Sequence, residues 1–283
     1  MFLLLCALLL AGCSMLRVAY NNGESLSYWW INSYIDIQSE QRQLVKDRLA
    51  RLFEWHRATQ LKDYVQVLGQ GQRRLQQNPD KSMLEADFTQ LRQRARVLLE
   101  QALPDMADLA LSLKPAQIAN IEKKFVSQNE EYRKKYLRGD PEQRQRYRFD
   151  KTLERAEYWF GEFTREQEAA IRKAVEAVPL DNELYLAARQ RRQRDLSNLL
   201  NRIQNERPTR EKVMQLLKVY TTNVLETPGG AEFDAFFDAY NDGMTGVAVI
   251  VINIATPAQK ARASLKLQQL MDDFSQMIVS TSN

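Results

Sequence analysis

Phe233-Asp234-Ala235-Phe236-Phe237-Asp238-Ala239-Tyr240-Asn241-Asp242-Gly243-Met244-Thr245-Gly246-Val247-Ala248-Val249-Ile250-Val251-Ile252-Asn253-Ile254 is the stretch on which the fold class turns. Its last third, Val247 to Ile252, is rich in β-branched residues and is the best strand candidate in the chain. Yet Phe233, Phe237, Tyr240, Met244, Val247, Val251 and Ile254 step by three and four, the spacing of one helix face and not the alternation of a half-buried strand. The window therefore reads as helix, and no other segment alternates. An all-α fold follows: an elongated bundle of antiparallel helices joined by short loops, with no sheet.

Outward from this window the punctuation is sparse. The 283 residues hold only 10 glycines and 8 prolines, and Pro79, Pro104, Pro115, Pro141, Pro208 and Pro257 precede or open periodic segments, where a missing backbone N–H costs nothing. Helices are predicted near 24 to 35, 39 to 78, 81 to 103, 105 to 112, 115 to 138, 141 to 160, 164 to 178, 181 to 206, 208 to 226, 231 to 254 and 257 to 279. Gly229-Gly230 reads as a break between two of them. On the long second helix Leu52, Phe53 and Trp55 are placed near the first core layer.

A five-residue motif recurs at four predicted helix starts: Ile37-Gln38-Ser39-Glu40-Gln41, Leu113-Lys114-Pro115-Ala116-Gln117, Phe163-Thr164-Arg165-Glu166-Gln167 and Ala255-Thr256-Pro257-Ala258-Gln259. In the last two, Thr stands three residues before Gln, the spacing of a capping box in which each side chain serves the other's backbone N–H. Apolar residues follow each Gln on a helical stripe: Val45, Leu49 and Leu52, then Ile121 and Phe125, then Ile171 and Val175. These are helix initiators that feed a core.

The N-terminus has a different character. Met1 to Leu10 is uncharged and almost wholly apolar, too short to span a bilayer, and gives way to Leu10-Ala11-Gly12-Cys13-Ser14. This segment resembles the lipobox of bacterial lipoproteins, although no Lys or Arg precedes the leucines. The resemblance implies a signal peptide over residues 1–12 and a mature lipidated helical domain over 13–283. It also implies acylation of Cys13 and, because Ser14 follows, forwarding to the outer membrane with the domain facing the periplasm. The four Gln motifs resemble the Leu-Thr-x-x-Gln signature of the periplasmic Spy and CpxP stress proteins, which implies a chaperone-like role. Arg17-x-Ala19-Tyr20-Asn21-Asn22, Trp29-Trp30, Trp55-His56-Arg57 and the later Gln motifs together resemble an uncharacterised family of Gram-negative outer-membrane lipoproteins. That likeness brings no catalytic residues with it.

Composition bounds what remains. The formal charge of +4 is too small an excess for a nucleic-acid binder. Cys6 falls in the predicted signal peptide and Cys13 at the acylation site, so no disulfide is expected. With one histidine, His56, neither a metal nor any other cofactor is expected. His56, with Glu54 and Asp63 nearby in sequence, is the one place for an envelope hydrolase, the alternative to a non-enzymatic binding or scaffolding role. The carboxylate pairs Glu130-Glu131 and Asp272-Asp273 read as solvated surface. The candidate contact site is basic: Arg133, Lys134, Lys135, Arg144, Arg146 and Arg148, interleaved with Tyr136, Tyr147 and Phe149 and joined by Lys151 and a second run from Arg189 to Arg194. Such a patch suits anionic headgroups, acidic envelope proteins or anionic envelope polymers. Beyond these, the expected partner is the outer-membrane bilayer through Cys13.

Overall fold

A computed structural model describes residues 14–279; the predicted signal peptide and Cys13 lie outside the described residues. Among the described residues the chain is helical, with no strand. The helices are α1 (Ser14–Asn21), α2 (Gly23–Ile35), α3 (Ser39–Thr59), α4 (Leu61–Gln76), α5 (Lys81–Ser112), α6 (Pro115–Tyr136), α7 (Pro141–Phe160), α8 (Arg165–Glu176), α9 (Asn182–Glu206), α10 (Arg210–Glu226), α11 (Asp234–Ile254) and α12 (Pro257–Val279). A single 3-10 turn, Ala231–Phe233, enters α11, and the Val247 to Ile252 stretch is helical with Val247 and Val251 buried.

Side-chain contacts give the directions of packing. Asn78 meets Lys260, Gln72 meets Ser264, and Tyr64 meets Phe274, so α4 and α12 run antiparallel. Contacts of Asp108 with Arg210, Glu100 with Lys218 and Arg96 with Glu226 set α5 against α10 in the same sense. Asn182 with Tyr136, Tyr185 with Tyr132 and Gln193 with Asn129 do so for α6 and α9. Two large cores result. One gathers Phe149, Phe160, Phe163, Ile171, Val175, Val247, Val251 and Ala263. The other gathers Leu103, Ala107, Leu113, Ile118, Ile121, Leu200, Ile203, Val213 and Leu217.

Each of the two large cores is closed by a pair of the recurrent glutamines, an arrangement the motif did not announce. Gln41 and Gln117 exchange amide hydrogen bonds at 3.3 and 2.8 Å, and Gln167 and Gln259 do so at 2.9 and 3.2 Å. Every Oε1 also accepts the N–H three residues before it: Gln38, Lys114, Thr164 or Thr256. Every Nε2 also donates to the carbonyl five residues before its partner: Ser112, Asp36, Ile254 or Glu162. The residue preceding each N-cap (Ile37, Leu113, Phe163, Ala255) is buried, as is the residue four after each Gln (Val45, Ile121, Ile171, Ala263). The two pairs are thus the same local structure built twice. In the third and fourth motifs the Thr hydroxyl completes the capping box.

Several expectations are corrected. α5 runs through Pro104 instead of ending at 103, because Leu103, Ala107 and Ala110 share one buried stripe across it. Packing against α10 outweighs the ~3 kcal/mol penalty of an interior proline. The Arg210 guanidinium also donates to the Pro104 carbonyl and grips Asp108. The predicted 39 to 78 helix is interrupted at Gln60 and ends at Gln76. Leu52, Phe53 and Trp55 are half-buried, while the core lies further along the chain. Glu130 and Glu131 are exposed, but Asp273 is 4% exposed and paired with Arg17 at 2.9 Å, because α1 folds back onto α12.

That unpredicted α1 is held by an aromatic clamp. Tyr20 packs edge-on against Phe53, and its hydroxyl lies 2.8 Å from Nδ1 of His56, whose Nε2 lies 3.2 Å from the Tyr64 hydroxyl. A neutral imidazole donates through one nitrogen and accepts through the other, so both phenols are satisfied. Burial lowers the His56 pKa below the ordinary 6.5. The unfolded chain therefore takes up this proton first, and the clamp's contribution is present above pH 6.5 and declines as pH falls below it. In urea titrations the unfolding midpoint of wild type is expected to drop more between pH 7 and 5 than that of His56→Gln. Equal drops would remove His56 from the clamp.

Candidate anion-binding cleft

The two basic runs, some forty residues apart in sequence, meet in a cleft of about 420 Å³ between α6, α7, α9 and α11. Its floor and walls are aromatic. Tyr132 stacks on Tyr185 at 5.6 Å with ring planes 11° apart, and Tyr136 meets Tyr147 edge-on at 5.8 Å. Phe236 and Tyr240 close the side formed by α11. The antiparallel register of α6 and α9 produces this: Tyr132 and Tyr136 are one turn apart on α6, and Tyr185 arrives opposite them near the start of α9. The Asn182 amide, donating to the Tyr136 carbonyl at 2.9 Å, holds the two ends together.

Cations ring the aromatic floor. Lys135, Arg144, Arg148, Lys151, Arg155 and Arg189 line the cleft against one acid, Asp181. The Asp181 carboxylate is engaged in capping α9 through the Leu184 N–H at 2.7 Å. Burial, reinforced by the neighbouring Tyr185 and Tyr136, raises the Tyr132 pKa well above the ordinary phenol range. A hydrogen bond with Tyr136 raises that of Lys135. Tyr132 is therefore a neutral phenol and Lys135 a cation throughout the physiological range. Phenol O–H groups and guanidinium or ammonium groups are all donors to anionic oxygen, so the chemistry offered is that of a receptor for carboxylate, phosphate or sulfate.

Of the six predicted patch residues, the structure brings Lys135, Arg144 and Arg148 to the cleft. Arg133 faces Glu130 at 2.6 Å, Arg146 pairs with Glu142 at 3.1 Å, and Lys134 is exposed; none of the three lines it. Arg148 itself points into the wall, with its guanidinium on the carbonyls of Val175, Val178 and Pro179 at 2.6 to 2.9 Å. Phe149 belongs to the core, 2% exposed beneath Arg172. The cleft residues missed by the sequence reading include Tyr132, Arg155, Tyr185, Phe236 and Tyr240. The one available signal was the Tyr132/Tyr136 spacing on a single helix face.

At His56 both ring nitrogens face tyrosines, and Glu54, exposed, is not among the hydrogen-bond partners of the ring. Among the described residues no group of His, Cys, Asp and Glu is arranged to hold a metal ion, and no helix is long and apolar enough to cross a membrane.

No curated protein and no solved structure matches the chain. One family profile does, over residues 33–222, and it takes in the Gln41, Gln117 and Gln167 motifs and most of the cleft. The folded unit runs past the end of that match, since Gln259 on α12 completes the second glutamine pair and α11 supplies Phe236 and Tyr240. With about two thirds of its length matched, the chain belongs to DUF6279, a family of unknown function.

Proposed function

We propose that this is a lipid-anchored, non-enzymatic binding protein of the cell envelope, acylated at Cys13 and held on the periplasmic face of the outer membrane. In this role the tyrosine-floored basic cleft captures an acidic segment of an envelope protein or an anionic envelope polymer. The observation that carries the proposal is the convergence of Lys135, Arg144, Lys151, Arg155 and Arg189 around a phenolic floor; Asp181 lines the cleft, and Glu154 and Glu183 at its edge pair with Lys151 and Arg144, so the cations outnumber the acids. The lipobox-like Leu10 to Ser14 supports the address, and the Gln motifs lend support to a chaperone-like variant in which the captured segment belongs to a non-native client.

The test uses poly-L-glutamate as a probe, with binding to the mature chain followed by calorimetry. Lys151→Glu/Arg155→Glu reverses two rim charges on exposed side chains. Wild type is expected to bind in a salt-dependent manner, and the double variant to bind on the order of tenfold more weakly with an unchanged melting temperature. Equal affinities for wild type and variant would refute the cleft as the receptor. Suppression of client aggregation by wild type and not by the variant distinguishes the chaperone-like role from a passive scaffold.

A further inference from the structure

The strongest unexplained surface lies on α2. Leu26, Trp29 and Trp30 are 53%, 68% and 58% exposed, and their spacing puts all three on one face. The helix is locked to the body beside this face: Gly23 sits against the Phe53 ring, Tyr34 packs on Phe125 and accepts from the Gln128 amide, and Trp30 rests on the Tyr34 ring at 4.9 Å while staying more than half exposed. Single exposed apolar residues elsewhere, such as Val126 and Leu265, are ordinary surface, but two adjacent indoles beside a leucine form a patch that water does not favour.

Its position in the chain says what covers it. Ser14, the first residue of α1, directly follows Cys13, and α1 is pinned to the body by the Arg17–Asp273 ion pair and the Tyr20–His56 contact. No tether intervenes. At about 1.5 Å of rise per helical residue, the indoles lie within about 24 Å of chain from the acylation site. A body pinned so close to its lipid must rest on the bilayer. Trp is the side chain suited to the headgroup boundary, with an apolar body and a polar N–H. Lys46 over Tyr28 and Lys124 over Tyr34 flank the same helix with cations that favour anionic headgroups.

We propose that the Leu26, Trp29 and Trp30 face of α2 seats in the headgroup boundary of the bilayer that holds the Cys13 lipid, fixing the orientation of the whole bundle. This rests on the lipid-anchor reading above. The test takes the lipidated chain with Trp55→Phe and Trp159→Phe, so that only Trp29 and Trp30 emit, in vesicles of phosphatidylethanolamine and phosphatidylglycerol with brominated acyl chains. Emission is expected to fall about twofold relative to unbrominated vesicles. Unchanged emission from a chain whose mass shows Cys13 acylated overturns the seat and leaves the anchor standing.

A second arm works without the lipid. The Cys13→Ser chain is expected to bind the same vesicles weakly, and Trp29→Ser/Trp30→Ser to reduce that binding on the order of tenfold with helicity unchanged. Equal binding overturns the seat. So does lipid-free dimerisation abolished by the same pair of substitutions, which would assign the face to a second copy of the chain. A mass showing Cys13 bare would sink the anchor alone, leaving the seat to be decided by this second arm.

Discussion

Gln117→Leu is expected to destabilise the fold by about 3 to 4 kcal/mol, a large fraction of the stability of a domain this size. The side chain is 1% exposed and all four hydrogen-bonding positions of its amide are used. Leucine fills similar volume, so the loss comes from what it leaves behind: the Lys114 N–H, the Asp36 carbonyl and half of the Gln41 amide, in a site with little access for water. Each stranded buried group costs about 1 to 3 kcal/mol, less than additively. Chemical denaturation should show the loss as a lower midpoint at unchanged slope.

Two comparisons make this specific. For an isolated buried pair, replacing both partners restores much of the loss, since nothing polar remains unpaired. Here Gln41→Leu/Gln117→Leu should stay well below wild type, because the Gln38 and Lys114 N–H groups and the Ser112 and Asp36 carbonyls lose their partners too. At the equivalent position of the second pair, Gln259 is only half-buried, so water can replace the lost bonds. Gln259→Leu is therefore expected to cost about 1 kcal/mol. If all three variants had the same small effect, the glutamine pairs would be incidental to the fold.

The glutamines also show how far the sequence could be read. Their role as helix initiators was legible because capping is local: Gln, its N-cap and the apolar residues after it lie within a few positions of one another. Their pairing was not, since Gln41 and Gln117 are 76 residues apart and Gln167 and Gln259 are 92 apart. No local rule selects which copy meets which. The helical reading of Val247 to Ile252 held for the same local reason, because the phase of seven apolar residues outweighs the strand propensity of five β-branched ones.

Pro104 misled for a complementary reason. A proline rule is local, whereas the stripe that carries α5 through it is stabilised by α10, more than a hundred residues later. The basic patch was half legible: composition located the cations, but which of them converge was decided by the packing of α6 against α9, which brings two stretches far apart in sequence to one cleft. The tyrosine floor comes from three helices and had no contiguous signature.

Arg148 is where the patch reading and the structure part most sharply, and Arg148→Met is expected to lower stability by about 1 to 3 kcal/mol with no ligand present. Val175 and Val178 are 0% and 3% exposed, and the carbonyls just past the last turn of α8 turn inward with them, where the guanidinium collects them. A helix C-terminus favours a cation, and Arg supplies several donors in one plane. Burial lowers the Arg148 pKa below the usual arginine range, yet the group stays charged at any physiological pH. Met keeps the stem and its packing while stranding the Val178 carbonyl, leaving the Val175 carbonyl to the Val178 N–H and the carbonyl of exposed Pro179 to water. Arg148→Lys keeps the charge but cannot span three acceptors, and should recover about half of the loss. Were Arg148 chiefly a ligand contact, Arg148→Met would weaken poly-L-glutamate binding while leaving the thermal midpoint of the free protein untouched. The expected pattern is the reverse: the midpoint of the free protein falls, and affinity declines only as far as loosening of the Pro179 to Asn182 wall widens the cleft.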